Sequence, residues 1–128
     1  GADAVIVTES SVDVYNPKAV RATTGSLFHI PVVTGVSFEA TMGALRQAGL
    51  RTCATQASGT DISELAANGG LAQPTAWIFG NEAHGLADEE AAQADARVAV
   101  PLYGRAESLS LQTAAALCLY QTAFAQQR

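Results

Sequence analysis

Two polar loops carry the side chains with the most scope for chemistry. Gly80-Asn81-Glu82-Ala83-His84-Gly85-Leu86 follows the apolar run Ala76-Trp77-Ile78-Phe79, and Pro101-Leu102-Tyr103-Gly104 through Glu107, Ser108, Leu109 and Ser110 follows Val98-Ala99-Val100 and leads into an Ala-rich segment. Each has the plan of strand end, loop and helix start, and two such loops can close around one small molecule, because ligands of open α/β sheets bind beyond the carboxyl ends of the strands. Gly80 and Gly85 remove side chains where a ligand would meet backbone, and Glu82 offers a carboxylate to a ribose hydroxyl or to its own loop. The competing reading gives both glycines a conformational role only, and a glycine-bracketed loop alone does not separate the two.

The remaining candidates have bland readings that are stronger. An imidazole suits a general base, but the sequence positions no acid to orient His84, so it reads as a surface or packing residue. His29, between Phe28 and Ile30, reads as a strand-edge residue. Ser108 lies in no GxSxG elbow and has no evident triad partners, which leaves it a hydrogen-bonding role. Asn16, Lys18 and Arg21 read by themselves as an N-cap with solvated charges. Asp88-Glu89-Glu90 reads as a solvated helix start, and no spacing suggests a metal site.

The elements that must position these loops alternate. Ala4-Val5-Ile6-Val7 suits a strand buried on both faces of a parallel sheet. Asn16-Pro17 reads as an N-cap and first-turn proline opening a helix that Gly25 ends. An extended piece around Ile30-Pro31-Val32-Val33 leads to Ser37, an N-cap for a helix that turns Phe38, Met42 and Leu45 to one face and stops at Gly49. Arg51–Thr55 is the next strand, Asp61-Ile62-Ser63-Glu64 resembles a capping box, and Asn68-Gly69-Gly70 breaks the short helix it opens. Ala76–Phe79 and Val98–Val100 are the last strands. A helix from about Gln112 to Gln126 is expected to turn Leu117, Tyr120 and Phe124 toward the core. The fold class is therefore α/β, a mainly parallel sheet flanked by helices.

Composition sets the outer bounds. The 128 residues, 48% apolar, suffice for one domain with a core and are short for two. No run is long and apolar enough for a membrane span, no signal peptide is visible, and the default expectation is a cytoplasmic protein. Cys53 and Cys118 lack CxxC spacing and read as reduced core residues. A net charge of −5 argues against gripping nucleic acid by bulk electrostatics. The chain enters a strand almost at once after Gly1-Ala2-Asp3, as a piece of a longer protein would.

Three ordered blocks resemble one family. Asn16 through Val32 resembles the (S/N)PKxVRxSxGxxFxxP block of the SpoU family of RNA ribose 2'-O-methyltransferases. Phe79–Leu86 resembles its FGxExxGL motif, and Val100-Pro101-Leu102 with Ser108-Leu109-Ser110 resembles IPMxGxxxSLNVxxA. The resemblance runs from about Ala2 to Tyr120 and implies a SPOUT-type fold with a C-terminal trefoil knot, an exception to the rule that chains avoid knots. It implies S-adenosyl-L-methionine as cofactor, contacted by Gly80, Val100, Leu102 and Leu109; Glu82, Ser108 and Ser110 as catalytic positions; Lys18 and Arg21 as RNA contacts; a homodimer; and RNA as substrate, with rRNA favoured over tRNA.

Two departures matter. The NxGxxxR motif, whose Arg has a central part in the family's catalysis, is absent from these residues and expected on a strand and helix before Gly1, so the chain reads as the C-terminal part of a single methyltransferase domain. Ser110 stands where the third motif usually has Asn, and a hydroxyl cannot supply both amide functions. A noncatalytic RNA-binding scaffold of the same fold is the alternative. A Rossmann-like domain ranks last, since Val7-Thr8-Glu9-Ser10-Ser11 supplies no GxGxxG.

Overall fold

A computed structural model describes residues 1–127. Contacts divide the chain into two compact units, residues Gly1–Gly43 and those from Ala44 onward. All the strand pairings described are parallel, and they form two sheets, one in each unit.

The first unit contains β1 (Val5–Thr8), α1 (Pro17–Ala22), a 3-10 turn (Ser26–Phe28) and β2 (Val32–Val36). Asn16 caps α1 as expected: its side-chain oxygen accepts from the Ala19 N–H at 2.9 Å, and Pro17 occupies the first turn, where a missing N–H costs nothing. The helix ends at Ala22 rather than reaching Gly25. Thr24 already has φ +48°, and Gly25, at φ +96°, starts the 3-10 turn. β1 is not buried on both faces: Val5 and Ile6 are 41% and 40% exposed, because β2 is its one ladder neighbour and the two-stranded sheet leaves flanks uncovered.

α2 (Phe38–Gln47) starts where the Ser37 hydroxyl accepts from the Ala40 N–H, at 3.1 Å. It stops at Gly49, whose φ of +72° lets the Leu50 N–H reach back to the Leu45 carbonyl at 3.1 Å. Met42 is its buried residue, with Phe38 and Leu45 half-buried beside it in the helix.

The second unit is built on β3 (Arg51–Asp61), the centre of a three-stranded sheet with β4 (Thr75–Ile78) on one side and β5 (Ala96–Ala99) on the other. β3 runs six residues past its expected end at Thr55. Val98 pairs with both Thr55 and Thr60, so Gln56–Gly59 bulge out of the ladder. Gly59 is required at this bulge, since a Cβ there would lie 2.5 Å from the Val98 nitrogen. Asp61 ends the strand and caps α3 (Ile62–Ala67), its carboxylate accepting from both the N–H and the hydroxyl of Ser63 at 2.7 Å, so the cap forms on Ser63 in place of the expected capping box with Glu64.

Thr52, fully buried, fastens the foot of this sheet. Its N–H and hydroxyl each donate to Asp95 Oδ2 at 2.8 Å, and the Asp95 N–H donates back to the hydroxyl at 3.0 Å. These two donors hold the Asp95 carboxyl below the ordinary aspartate value.

α5 (Leu111–Gln126) packs on α3 and β4 with a face different from the one its apolar spacing suggests. Cys118 and Thr122 are buried, flanked by half-buried Ala114, Ala115 and Ala125, whereas Leu117, Tyr120 and Phe124 are 43%, 66% and 60% exposed. Small residues let the helix approach closely, and Thr122 is anchored there by the Trp77 indole N–H at 2.9 Å. The core joins Cys53, Ile62, Leu65, Leu71, Val98 and Cys118. Both cysteines are free thiols in it, and burial pushes the Cys118 thiol up to about 12.

Three substitutions test this frame. Asp95→Ala strands the buried Thr52 N–H and should cost about 1–3 kcal/mol in urea unfolding. A depressed carboxyl stabilises above its unfolded value of about 3.9 and loses that contribution as pH falls through the lower folded value, so the variant should also show a shallower acid limb below about pH 4. Ser110→Ala should cost about 1 kcal/mol through loss of the α5 N-cap, while Ser110→Asn should fall within a few tenths of the parent.

Candidate functional site

β4 and β5 flank β3 and run parallel to it, so the loops that leave their carboxyl ends emerge from the same edge of one sheet. With one strand between them, their starting points lie about 10 Å apart. The loop pair singled out from sequence is thereby brought to one end of the second unit, with the bulged segment Gln56–Gly59 of β3 between.

The first loop closes on itself. Asn81 and Gly85 form an antiparallel bridge, with the Gly85 N–H donating to the Asn81 carbonyl at 2.9 Å. The Asn81 side-chain oxygen accepts from the N–H groups of Ala83 and His84 at 3.0 and 2.7 Å. Gly80 faces this turn so closely that a Cβ would fall 1.9 Å from the Gly85 carbonyl carbon, and Gly85 itself has φ +67°. Both glycines are thus required by the turn itself. Glu82 and His84 sit exposed on it. Asn81 is the organiser that the sequence reading passed over; its signal was an Asx-type residue ahead of a left-handed glycine.

α4 (Asp88–Ala91) follows, with the Glu90 carboxylate accepting from the Ala87 N–H at 3.3 Å. Asp88 also accepts from Gln56 Nε2 at 2.6 Å, which ties the bulge of β3 to the end of the first loop. That bond fixes which way the Gln56 amide points, because a carboxylate cannot donate to its oxygen. Gln56 Oε1 is left buried without a partner among the described residues. Gln56 was invisible from sequence: a single glutamine past the expected end of a strand carries no pattern.

The second loop begins at Val100, which packs against the core, and runs outward through exposed Leu102 and Tyr103 and exposed Ser108. Leu109 is half-buried. Ser110 caps α5: its hydroxyl accepts from the Thr113 N–H at 3.2 Å and lies 2.8 Å from the Thr113 hydroxyl. This explains how serine can stand in a position that favours asparagine, since both are strong N-caps.

Gly80, Glu82, Val100, Leu102, Ser108, Leu109 and Ser110 therefore all lie on the two loops or at their ends. Lys18 and Arg21 lie in the other unit, exposed on α1, where Arg21 occupies the last turn.

The profile of the SpoU rRNA Methylase family matches residues 1–120. A 23S rRNA (guanosine(2553)-2'-O)-methyltransferase of Bacillus subtilis is 34% identical over 121 residues, which cover 94% of this chain and 47% of that protein. A 23S rRNA (uridine(2479)-2'-O)-methyltransferase of Streptomyces viridochromogenes is 34% identical over 130 aligned positions, covering 94% of this chain and 43% of that protein.

Among solved structures, the SpoU methyltransferase AviRb from Streptomyces viridochromogenes superposes with a TM-score of 0.85 at 35% identity, over 98% of this chain and 50% of that one. An AdoMet-bound rRNA methyltransferase from Sinorhizobium meliloti gives 0.84 at 32%, over 95% and 46%. The chain spans about half the length of the curated relatives it matches. It shares their α/β fold of parallel strands flanked by helices, and it belongs to the SpoU rRNA Methylase family.

Proposed function

We propose that this chain is the cofactor-binding part of an S-adenosylmethionine-dependent methyltransferase that modifies a ribose 2'-hydroxyl of RNA, with rRNA favoured over tRNA. One observation carries the reading: the two family loops leave the same edge of a parallel sheet, on either side of β3. The residues there suit the cofactor. Gly80 stands at the edge of a preformed turn, Val100, Leu102 and Leu109 offer apolar walls, and the orphaned Gln56 Oε1 is an acceptor in want of a donor. When bound, the cofactor supplies an activated methyl group on a sulfonium. The chain holds the donor and acceptor in line. Glu82 and Ser108, both exposed, are assigned the hydrogen bonds to the ribose or its neighbours, and Ser110, the α5 N-cap, the orientation of its loop.

The same elements support a finer reading of the architecture. Because β5 and β4 lie on opposite sides of β3 and α5 packs beside β4, the second loop must carry the chain back across the end of the sheet. We read that return as the threading step of a trefoil knot. The exposed Leu117, Tyr120 and Phe124 stripe, with the two rings 5.9 Å apart, suits burial against a second copy in a homodimer. Lys18 and Arg21 serve as local phosphate contacts on a chain whose net charge is −5. The noncatalytic alternative predicts a folded chain that binds RNA and no cofactor.

Calorimetric titration with S-adenosylmethionine should give one saturable site per chain, lost in Leu109→Asp; no heat from a folded parent chain overturns the enzyme reading. Replacing Lys18 and Arg21 together by Ala should leave cofactor affinity unchanged and lower the slope of log RNA affinity against log salt by roughly 1–2. An unaltered slope reduces the pair to solvated helix charges.

A further inference from the structure

The first unit has a cavity of its own, of about 240 Å³, beyond the carboxyl ends of β1 and β2. A bulge shapes one wall: Val7 pairs with Thr34 and Thr8 with Val36, which leaves Gly35 out of the ladder at φ +69°. The other wall is the segment from Glu9 to Tyr15 that leads into α1. Two large apolar residues lining it, Val12 and Tyr15, are 68% and 63% exposed.

The two acids that line the cavity differ in their engagement. Asp13 builds the turn: its carboxylate accepts from the Tyr15 N–H at 2.9 Å, and its carbonyl accepts from the Asn16 side chain. The Glu9 backbone is held by an N–H bond to the Val36 carbonyl at 2.9 Å, while its carboxylate has no partner among the described residues. Glu9, with its unpartnered carboxylate, and the aromatic Tyr15 thus both line the cavity, and the cations Lys18 and Arg21 lie on the helix that follows.

This combination selects a ligand class. The volume is below the roughly 300–1,000 Å³ of a site for a drug-sized molecule and suits one planar heterocycle. Exposed aromatic residues stack on unpaired bases, and cations alongside engage the flanking phosphates. A carboxylate needs donors, and guanine alone of the four bases sets two side by side, N1–H and the N2 amine, matching the two carboxylate oxygens. Adenine and cytosine place a ring acceptor next to their amine, and uracil flanks its N–H with two carbonyls, so each brings an acceptor against Glu9.

We propose that this cavity binds a guanine base of the RNA substrate, with Glu9 accepting from N1–H and the N2 amine and Tyr15 stacking on the ring. The proposal rests on the reading of RNA as substrate, but it is tested separately from the cofactor loops. The probes are the RNA trinucleotides UGU, UAU and UIU, the last differing from the first only by loss of the N2 amine from the central base.

In titrations followed by amide NMR, UGU should bind about tenfold tighter than UIU, as one charge-assisted hydrogen bond requires. Shift changes should concentrate at residues 7–15 and 34–35. Glu9→Gln, on an exposed side chain, should remove the difference between UGU and UIU, and Tyr15→Leu should weaken all three. Equal affinities for UGU and UIU, shifts confined elsewhere, or a preference that survives Glu9→Gln overturns the proposal. Cofactor titration of the same samples keeps the failures apart. Cofactor binding without guanine preference refutes this site alone, whereas guanine preference without cofactor binding refutes the enzyme reading and leaves the site standing.

Discussion

The register of β5 on β3 is the constraint from which the rest of the second unit follows. Thr52 is fully buried, so its N–H and hydroxyl must find partners inside the protein, and both find the Asp95 carboxylate just before β5 begins. With that clamp made, Cys53 pairs with Ala96 and Thr55 with Val98. A one-residue slip would turn Val98 out of the core and strand both Thr52 donors. The same register brings Gly59 against the Val98 backbone, where no other residue fits, and so determines where β3 must bulge.

Once the strands are placed, the first loop needs little from a ligand to hold its shape. Asn81 takes two backbone N–H groups and Gly85 closes the bridge, so backbone groups that would otherwise be unpaired are already satisfied. The question posed by the sequence, whether Gly80 is open for a ligand or for conformational reasons, is answered locally by the nearness of Gly85. A preformed turn of this kind lowers the ordering cost of binding. It is also consistent with a site that has few ionisable groups, since recognition can run through backbone and apolar contacts.

Local signals were legible and non-local ones were not. Asn16, Ser37 and Asp61 read correctly as caps, and Gly49 as a stop, because each acts within four residues of itself. The parallel α/β alternation and both loop positions were legible for the same reason. The buried face of α5 was not: the helix is apolar nearly all round, and spacing cannot tell which of two apolar faces meets the core. Packing density decided it, favouring Ala115, Cys118 and Thr122 over the bulkier Leu117, Tyr120 and Phe124. The extension of β3 beyond Thr55 depended on partners 38 residues away, Val98 for Thr60 and Ala99 for Asp61, and Gln56 acquired its significance only through Asp88. Burial of β1 was overestimated because an apolar run does not reveal how many ladder neighbours it will have.

The second loop obtains its geometry from its ends. From Pro101 to Leu109 it has no regular structure, and its exposed side chains offer little packing. At one end Val100 is held by the β5 register and by the core. At the other, Ser110 starts α5, which is pinned through Thr122 to Trp77 of β4 and through Gln126 to the Gln73 carbonyl at 2.8 Å. Trp77 is on the strand that launches the first loop, so α5 links the far end of one loop to the foot of the other. Disturbing the small-residue face of α5 would therefore shift Leu109 relative to Gly80 without touching either. Residues remote from the loops, Thr122 above all, belong to the apparatus that sets the spacing between them.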